Sequence, residues 1–376
     1  MIISQITEEK YLQECREIEE KFKEIISRVN LSYPKPLNSK EERKKFFKKL
    51  KEGKVYNPQF KYEFKHVPEK VILELKEFKE KIPLKNDYYA FKRLLKQKVQ
   101  EDILLLECYK TWGSPLSSHF NKQLFQTPSQ LLLIKAKLYC RNFKREKVRF
   151  KRIDNKKLGK ELQREVKRLT GDKLKVVHKK LANKMNIMAR LKTVEINPSE
   201  SFTSLDLKRL KIHEIGVHYM RYYNAKQLAP LELFQRGTDH YIATEEGLAV
   251  YSEERARVLS KAQMYIYAGR VLATYYSQKM DFYTLYHYLR KFNFKENDAF
   301  SLALRAKRNI CDTSLEGGYS KDYIYFKGYY DVKAFAKKHN IKHLFFGKFK
   351  IEDYKYIKPY ILKVEEQIKT IFDEEY

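Results

Sequence analysis

The sequence predicts an α+β fold that is predominantly helical, with one small β-sheet. Three observations carry this reading. Apolar residues recur at helical spacing along most of the 376-residue chain. A strand-like alternation of basic and apolar residues appears only in one middle stretch. Hydrophobic residues make up 43% of the chain and aromatics 14%, with 29 Tyr and 23 Phe, which gives a sizeable core and excludes wholesale disorder. The length exceeds the roughly 150 residues of a typical domain, and the punctuation near Tyr62 divides an N-terminal helical region, 1–62, from a body, 63–376.

Residues 6–30 read as an amphipathic helix with Tyr11, Ile18, Phe22, Ile25 and Ile26 at helical spacing. Pro34, Pro36 and Asn38 break it, and the Lys/Glu/Phe-rich stretch up to Tyr62 reads as a peripheral helix with loops. Long helices return over 71–108, the second carrying Leu94, Leu95, Val99, Ile103, Leu104 and Leu106 on a wide apolar face. Trp112-Gly113-Ser114-Pro115 stops it. Two shorter helices over 116–138 are separated at Thr127-Pro128-Ser129, with Thr127 as N-cap and Pro128 at the first helical position. Residues 147–153 alternate basic and apolar side chains and predict a half-exposed strand with a cationic face. A helix over 158–169 and strands over 174–178 and 191–197, the last closed by Pro198, complete a basic, β-containing segment, 141–200. Thr203-Ser204-Leu205-Asp206 has the form of a capping box and opens a helix through about Tyr223. Residues 331–376 are read as a C-terminal helical part, with a last helix over 361–372.

The formal net charge is +30, an excess that attracts polyanions or acidic peptide tails. AT-rich codon usage is a competing source of such a total, and the distribution is more informative: residues 141–192 hold 20 basic and 5 acidic residues. A cationic surface and an acidic partner are expected. Cys15, Cys108, Cys140 and Cys311 lie far apart without ligand-like spacing, as reduced thiols do. The start of the chain has no apolar signal core, and no run approaches the roughly 18 apolar residues of a membrane span, so the expected location is cytoplasmic. With 12 glycines and no Gly-rich loop, the sequence argues against a nucleotide cradle.

Inside the helix that follows the capping box stands His213-Glu214-Ile215-Gly216-Val217-His218. Two imidazoles can bind zinc, and a carboxylate beside the first can serve as general base, as in H-E-x-x-H metallopeptidases. Here the spacing is one residue longer. At roughly 100° per residue an i,i+4 pair is separated by about 40° and an i,i+5 pair by about 140°. A regular helix therefore splays these histidines; both face one metal only where the backbone widens to i→i+5 bonding. Gly216, a poor α-helix former, sits where that widening is needed. The competing reading is two unrelated histidines on a buried helix. A third ligand is available where Thr244-Glu245-Glu246-Gly247-Leu248-Ala249 opens another helix, since either glutamate completes a two-histidine, one-carboxylate set with a position left open.

These blocks resemble the tyrosine carboxypeptidase family, which includes the microtubule-associated enzymes that remove the C-terminal tyrosine of α-tubulin and bacterial relatives with a Gln-Glu-Gly-Leu-Ala motif. The similarity rests on His213 to His218, then Glu246-Gly247-Leu248-Ala249, then Lys307-Arg308 leading through Asp312-Thr313-Ser314 to Gly318-Tyr319-Ser320-Lys321-Asp322 and Gly328. Trp112 to Pro115 and Phe202 to Asp206 are weaker landmarks, and the whole spans roughly Tyr89 to Tyr330. Leu315-Glu316-Gly317-Gly318 departs from the proline-glycine turn of the tubulin-directed relatives, and their microtubule-binding extensions are not recognisable. The resemblance implies a zinc-metallopeptidase-like catalytic body with its metal-binding part at 201–330. It implies zinc ligands His213, His218 and Glu246, with Glu214 as base.

A carboxypeptidase also needs a cation for the terminal carboxylate, and an arginine fork suits it. Arg308 ranks first, ahead of Arg305, Lys321 and Arg221. Tyr325, among Tyr323, Tyr329 and Tyr330, offers either a phenol for the oxyanion or plain aromatic packing. Asn224 and Gln227 suit a helix cap or a substrate contact. The function expected is a zinc-dependent carboxypeptidase that removes a tyrosine-like residue from an acidic peptide or protein tail. Two readings compete with it: a non-catalytic basic protein that docks nucleic acid or an acidic protein surface through 141–192, and a zinc endopeptidase. The chain itself ends Asp373-Glu374-Glu375-Tyr376, similar to such a tail, and two readings compete for it: a solvated helix end whose last letters coincide, and a tail that enters an active site of the same chain or a neighbour.

Overall fold

The structure is a computed structural model and describes residues 2–29, 34–64, 66–146, 150–181 and 184–373. It is mostly helical with two small sheets. Helix Lys261–Ser277 is the hub of the largest apolar cluster, in which Tyr265, Ala268, Val271 and Leu272 meet Phe282, Leu285, Phe300 and Ala303 of the two following helices and Leu133 and Ala136 of helix Gln130–Asn142. A second cluster joins Ile212, Val217 and Met220 to Leu248, Ala249, Phe345, Phe346, Ile361 and Ile371. A third packs Leu158, Leu162 and Val166 with Val194 and Ile196 against Ile215 and Tyr219. The segment Ile212 to Met220 thus stands between two cores. Its remaining face, with His213, Glu214 and His218, is left for helix Ile242–Arg255.

Residues 1–62 contribute to three clusters rather than to one of their own: Phe46, Phe60 and Tyr62 to the first, Tyr11 and Cys15 to the second, Phe22, Ile25 and Ile26 to a fourth built on helices Glu69–Lys81 and Phe91–Lys110. The N-terminal helix is Ile2–Ser27, and its Glu19 carboxylate accepts hydrogen bonds from the Glu232 and Leu233 amides.

The first sheet is a two-residue pairing, β1 (Arg152–Ile153) antiparallel to the later strand Phe202–Thr203. Of the strand expected over 147–153, residues 147–149 lie outside the described residues, and Phe150 and Lys151 are not in a strand. The second sheet has order β2-β4-β3: β2 (Lys175–His178) runs parallel to β4 (Thr193–Ile196), and β3 (Met185–Met188) pairs antiparallel with β4. Strand β3 was not expected, because Met185-Asn186-Ile187-Met188 carries a weak alternation that pairing with β4 completes. Between 144 and 190 the Lys and Arg side chains of the described residues are exposed, so the expected cationic surface is present.

Helix Gln130–Asn142 begins two residues later than expected, with Ser129 rather than Thr127 as N-cap; its Oγ accepts from the Leu132 amide. The capping box is present as expected, with Thr203 Oγ1 accepting from the Asp206 amide and Asp206 Oδ2 from the Thr203 amide. The last helix is Tyr354–Val364, and the chain then runs without α-helix to Asp373. Its path is fixed by Asn224, which donates to the Phe345 and Lys369 carbonyls and accepts from the Lys369 amide. The four cysteines are unpaired, and no helix of the described residues is long and apolar enough to cross a membrane.

Helix Ile242–Arg255 also packs on helix Ile324–Ala336 at backbone distance. A Cβ on Gly247 would lie 2.2 Å from the Gly328 carbonyl carbon, and a Cβ on Gly328 would lie 1.9 Å from the Ala243 oxygen. Two of the motif glycines are therefore contact points between helices. Gly328→Ala should force them apart and cost about 1–3 kcal/mol of unfolding free energy, as overpacking of a closed core does; denaturant unfolding measures it.

Beside the same helix, burial pushes the Asp353 carboxyl up to about 7, against the pull of Lys350 and with the added repulsion of Asp239 and Glu352. Because the folded chain holds this proton to higher pH than the unfolded chain does, the group costs stability as pH rises from about 4 through 7. Asp353→Asn should therefore gain stability over the parent, on the order of 2 kcal/mol at pH 8 and little at pH 4. Paired thermal melts across that range read the difference.

Candidate metal centre

Residues 204–228 form one continuous helix that changes register. Ser204–Leu210 and Met220–Leu228 are α-helical, and Lys211–Tyr219 between them is π-helical. Bonding from i to i+5 stacks residues five apart, so the rings of His213 and His218 meet with centroids 4.9 Å apart at 82°. The irregularity that the spacing demanded is present. Gly216 has a further reason to be glycine: a Cβ there would lie 2.4 Å from Cγ2 of Ile371, so the C-terminal segment packs directly on the back of the π turn.

Three carboxylates of helix Ile242–Arg255 reach the histidine pair. Glu253 Oε1 lies 2.8 Å from His213 Nδ1, and Glu245 Oε1 lies 2.9 Å from His218 Nδ1. With each Nδ1–H engaged by a carboxylate, each Nε2 is left as a lone-pair donor. Both Nε2 atoms converge on Glu246 Oε2, at 3.3 and 3.8 Å. That oxygen is buried and accepts no hydrogen bond among the described residues. Two imidazole lone pairs and an unsatisfied carboxylate oxygen repel one another unless a cation stands between them. One atom from each of the three residues falls within 4.8 Å of the others. Two imidazoles and a carboxylate are a donor set that zinc takes, and these residues fit such an ion.

The electrostatics favour a cation as well. Burial pushes the carboxyls of Glu245, Glu246 and Glu253 upward, yet each is held below its ordinary range. Lys348, His218 and Arg221 do this for Glu245; His213 and His218 for Glu246; His213 and Arg209 for Glu253. Arg209 is forked onto Glu253, with Nε and Nη2 donating at 3.0 and 3.1 Å. The same carboxylates raise the imidazoles against their own burial, so the cluster draws positive charge, a proton or a metal ion, to the two Nε2 atoms.

Glu214 has no hydrogen bond or ion pair among the described residues and lines a cavity of about 240 Å³ beside His213. Tyr325 lines the same cavity and stacks on Tyr267, with centroids 4.9 Å apart at 11°. Burial lowers the Lys321 ammonium, with Glu246 opposing that shift, so this lysine is in the field of the site. The other expected cations are committed elsewhere. Arg305 forks onto Asp322 at 2.6 and 3.1 Å, and Arg308 shares the same carboxylate at 3.1 Å while lying over the Tyr319 ring. Arg221 is fully buried and donates to the Gly347 and Phe349 carbonyls, so it ties the helix to a loop and does not reach the cavity. Tyr323 and Tyr329 are structural too, donating to the Phe125 carbonyl and to Glu254. Asp373 caps Thr370, and residues 374–376 of the tail-like C-terminus lie outside the described residues.

Sequence reasoning missed Glu253, Arg209, Tyr267, Arg270 and the part played by Glu245. One signal was available: Glu253 follows Glu246 by seven residues, two helical turns, and so shares its face. Tyr267 and Arg270 come from helix Lys261–Ser277, which carries no motif.

A family model described as microtubule-associated tyrosine carboxypeptidase matches residues 44–365. The mouse protein named "Putative tyrosine carboxypeptidase MATCAP2" is 27% identical over 309 residues, which is 81% of this chain and 50% of that protein. Mouse "Microtubule-associated tyrosine carboxypeptidase 1" is 30% identical over 156 residues, covering 39% of this chain and 32% of its own length. The human protein with the first of these names is 32% identical over 122 residues, 31% of this chain and 22% of its own length. This chain thus spans half or less of the length of the curated relatives it matches. The family match covers most of the chain and includes every element of the histidine–glutamate cluster, and the chain belongs to the microtubule-associated tyrosine carboxypeptidase family.

Proposed function

We propose that this chain is a zinc-dependent carboxypeptidase that removes a C-terminal aromatic residue from an acidic peptide or protein tail. The observation that carries the reading is the convergence of His213 Nε2 and His218 Nε2 on the unsatisfied Glu246 oxygen, with Glu214 unpaired beside them. His213, His218 and Glu246 would hold the ion, with Glu253 and Glu245 fixing the imidazole tautomers from behind. Bound there, zinc supplies a Lewis acid for the scissile carbonyl and acidity for a water molecule. Glu214 accepts the proton of the attacking water and passes it to the departing amine. The Tyr325 phenol lines the cavity beside Glu214 and would stabilise negative charge that develops on the carbonyl oxygen, with the Lys321 ammonium adding positive charge in the field of Glu246. Exposed lysines and arginines of 144–190 raise the local concentration of an acidic tail, an effect that salt screens. The names of the relatives support the carboxypeptidase class and a tyrosine leaving residue.

The testing experiment incubates zinc-loaded protein with acidic and neutral peptides of varied C-termini, at low and high salt, and reads the products by mass. Loss of one terminal aromatic residue, fastest from acidic tails at low salt, is expected; internal cuts would instead indicate an endopeptidase. Glu246→Ala should abolish stoichiometric zinc binding, whereas Glu253→Gln and Glu245→Gln should each weaken it by about 10–100-fold, the usual cost of losing a carboxylate behind a metal-bound histidine. Zinc competition titrations measure both. Glu214→Gln should retain one zinc per chain and lose about 10²–10⁴-fold in kcat, because the amide neither accepts nor returns a proton. Single-turnover assays with matched zinc content check it.

A further inference from the structure

The cavity beside His213 holds two arginines, and they differ in one respect. Arg209 is neutralised by its fork onto Glu253. Arg270 makes no hydrogen bond or ion pair among the described residues, and its Nε is buried without a partner. Burying a guanidinium donor with nothing to accept from it is costly, and such a group persists where a ligand completes it. Arg270 is nonetheless held in place. Its guanidinium carbon lies 4.7 Å from the Tyr325 ring centroid and 5.1 Å from that of Tyr267, the two tyrosines being stacked on each other. Aromatic faces orient a guanidinium and leave its in-plane N–H groups free to fork onto a planar anion.

The surroundings define the anion. Glu214 and His213 line the same cavity, so an acid bound to Arg270 sits next to the group that would activate water. About 240 Å³ is below the roughly 300–1,000 Å³ of sites that enclose drug-sized ligands. That volume suits one terminal residue. The neighbouring arginines are not available for the task, since Arg305 and Arg308 together occupy Asp322.

We propose that Arg270, oriented by Tyr267 and Tyr325, takes the terminal carboxylate of the substrate and thereby restricts cleavage to the last peptide bond. The proposal rests on the carboxypeptidase reading and replaces Arg308 as the recognition cation. Arg270 is a binding residue: the fork it makes fixes the position of the scissile carbonyl one bond away and excludes substrates without a free end.

The test uses full-length, zinc-loaded protein carrying Glu214→Gln, so that peptides bind without being cut. Two fluorescent acidic peptides ending in tyrosine are compared, one with a free carboxylate and one amidated. The Glu214→Gln protein should prefer the free acid by about 10–100-fold, the worth of a charge-assisted fork. Adding Arg270→Gln should reduce that preference to less than about threefold while zinc content stays at one per chain, and Arg270→Lys should retain part of it because an ammonium cannot fork. A preference that survives Arg270→Gln overturns the proposal and leaves the carboxypeptidase reading standing, the more so where Lys321→Met removes it. If Arg270→Gln fails to fold, the Arg270→Lys result decides: an undiminished preference there overturns the proposal equally. No preference in the Glu214→Gln protein itself refutes recognition of a free C-terminus, and the proposal falls with that reading.

Discussion

His218 lies five positions after His213, and an α-helix cannot bring them to one point. The backbone resolves this by running nine residues as a π-helix inside an otherwise α-helical segment. Much of the surrounding structure follows from that choice. A π turn is an uncommon conformation, and here it is clamped on both sides: Ile212 and Val217 enter one apolar cluster, Ile215 and Tyr219 another. At Gly216 the C-terminal Ile371 closes on the backbone. Arg221 and Asn224, one and two turns beyond, hold the stretches of chain that bring Ile371 there. The C-terminal part of the chain is thus a brace for the histidine helix, placed on the side away from its imidazoles.

The opposing helix, Ile242–Arg255, supplies the complementary half. Its Glu245, Glu246 and Glu253 crowd three carboxylates against two imidazoles, with Arg209, Lys348 and Arg221 offsetting part of their charge. Glu245 and Glu253 take the outer ring nitrogens, so the inner nitrogens and Glu246 face one another. The helix can sit this close because Gly247 and Gly328 let it rest on helix Ile324–Ala336, which in turn carries Tyr325 to the cavity. Register, charge and helix contact act on the same small cluster of side chains.

The parts of this arrangement that are local in sequence were legible in it. The capping box at Thr203, the stop at Pro115 and the register conflict between His213 and His218 each follow from spacing alone, and the structure has all three. The carboxylate choice came through similarity to a family, and the geometry supplies its physical reason, since Glu245 is spent on His218 Nδ1. What could not be read was pairing across the fold. Arg308 and Arg305 looked like free cations because Asp322 lies fourteen and more residues away in the chain and becomes their shared partner only when the block folds back. Arg221 looked available one turn past His218, but the loop at 347–349 covers it. The alternation at 147–153 reflects the density of lysine and arginine as much as a strand, and pairing with Phe202–Thr203 uses only two of its residues.

Catalysis of the proposed kind requires a single ion held by two imidazoles and one carboxylate at the π turn. The zinc K-edge absorption spectrum of the metal-loaded chain tests this most directly. It should show a first shell of nitrogen and oxygen at about 2.0–2.2 Å without sulfur, with the outer-ring scattering of two imidazoles, one of which disappears in His218→Ala. A shell containing sulfur, or a spectrum with a single imidazole that His218→Ala leaves unchanged, would contradict the assignment of the π turn to metal binding.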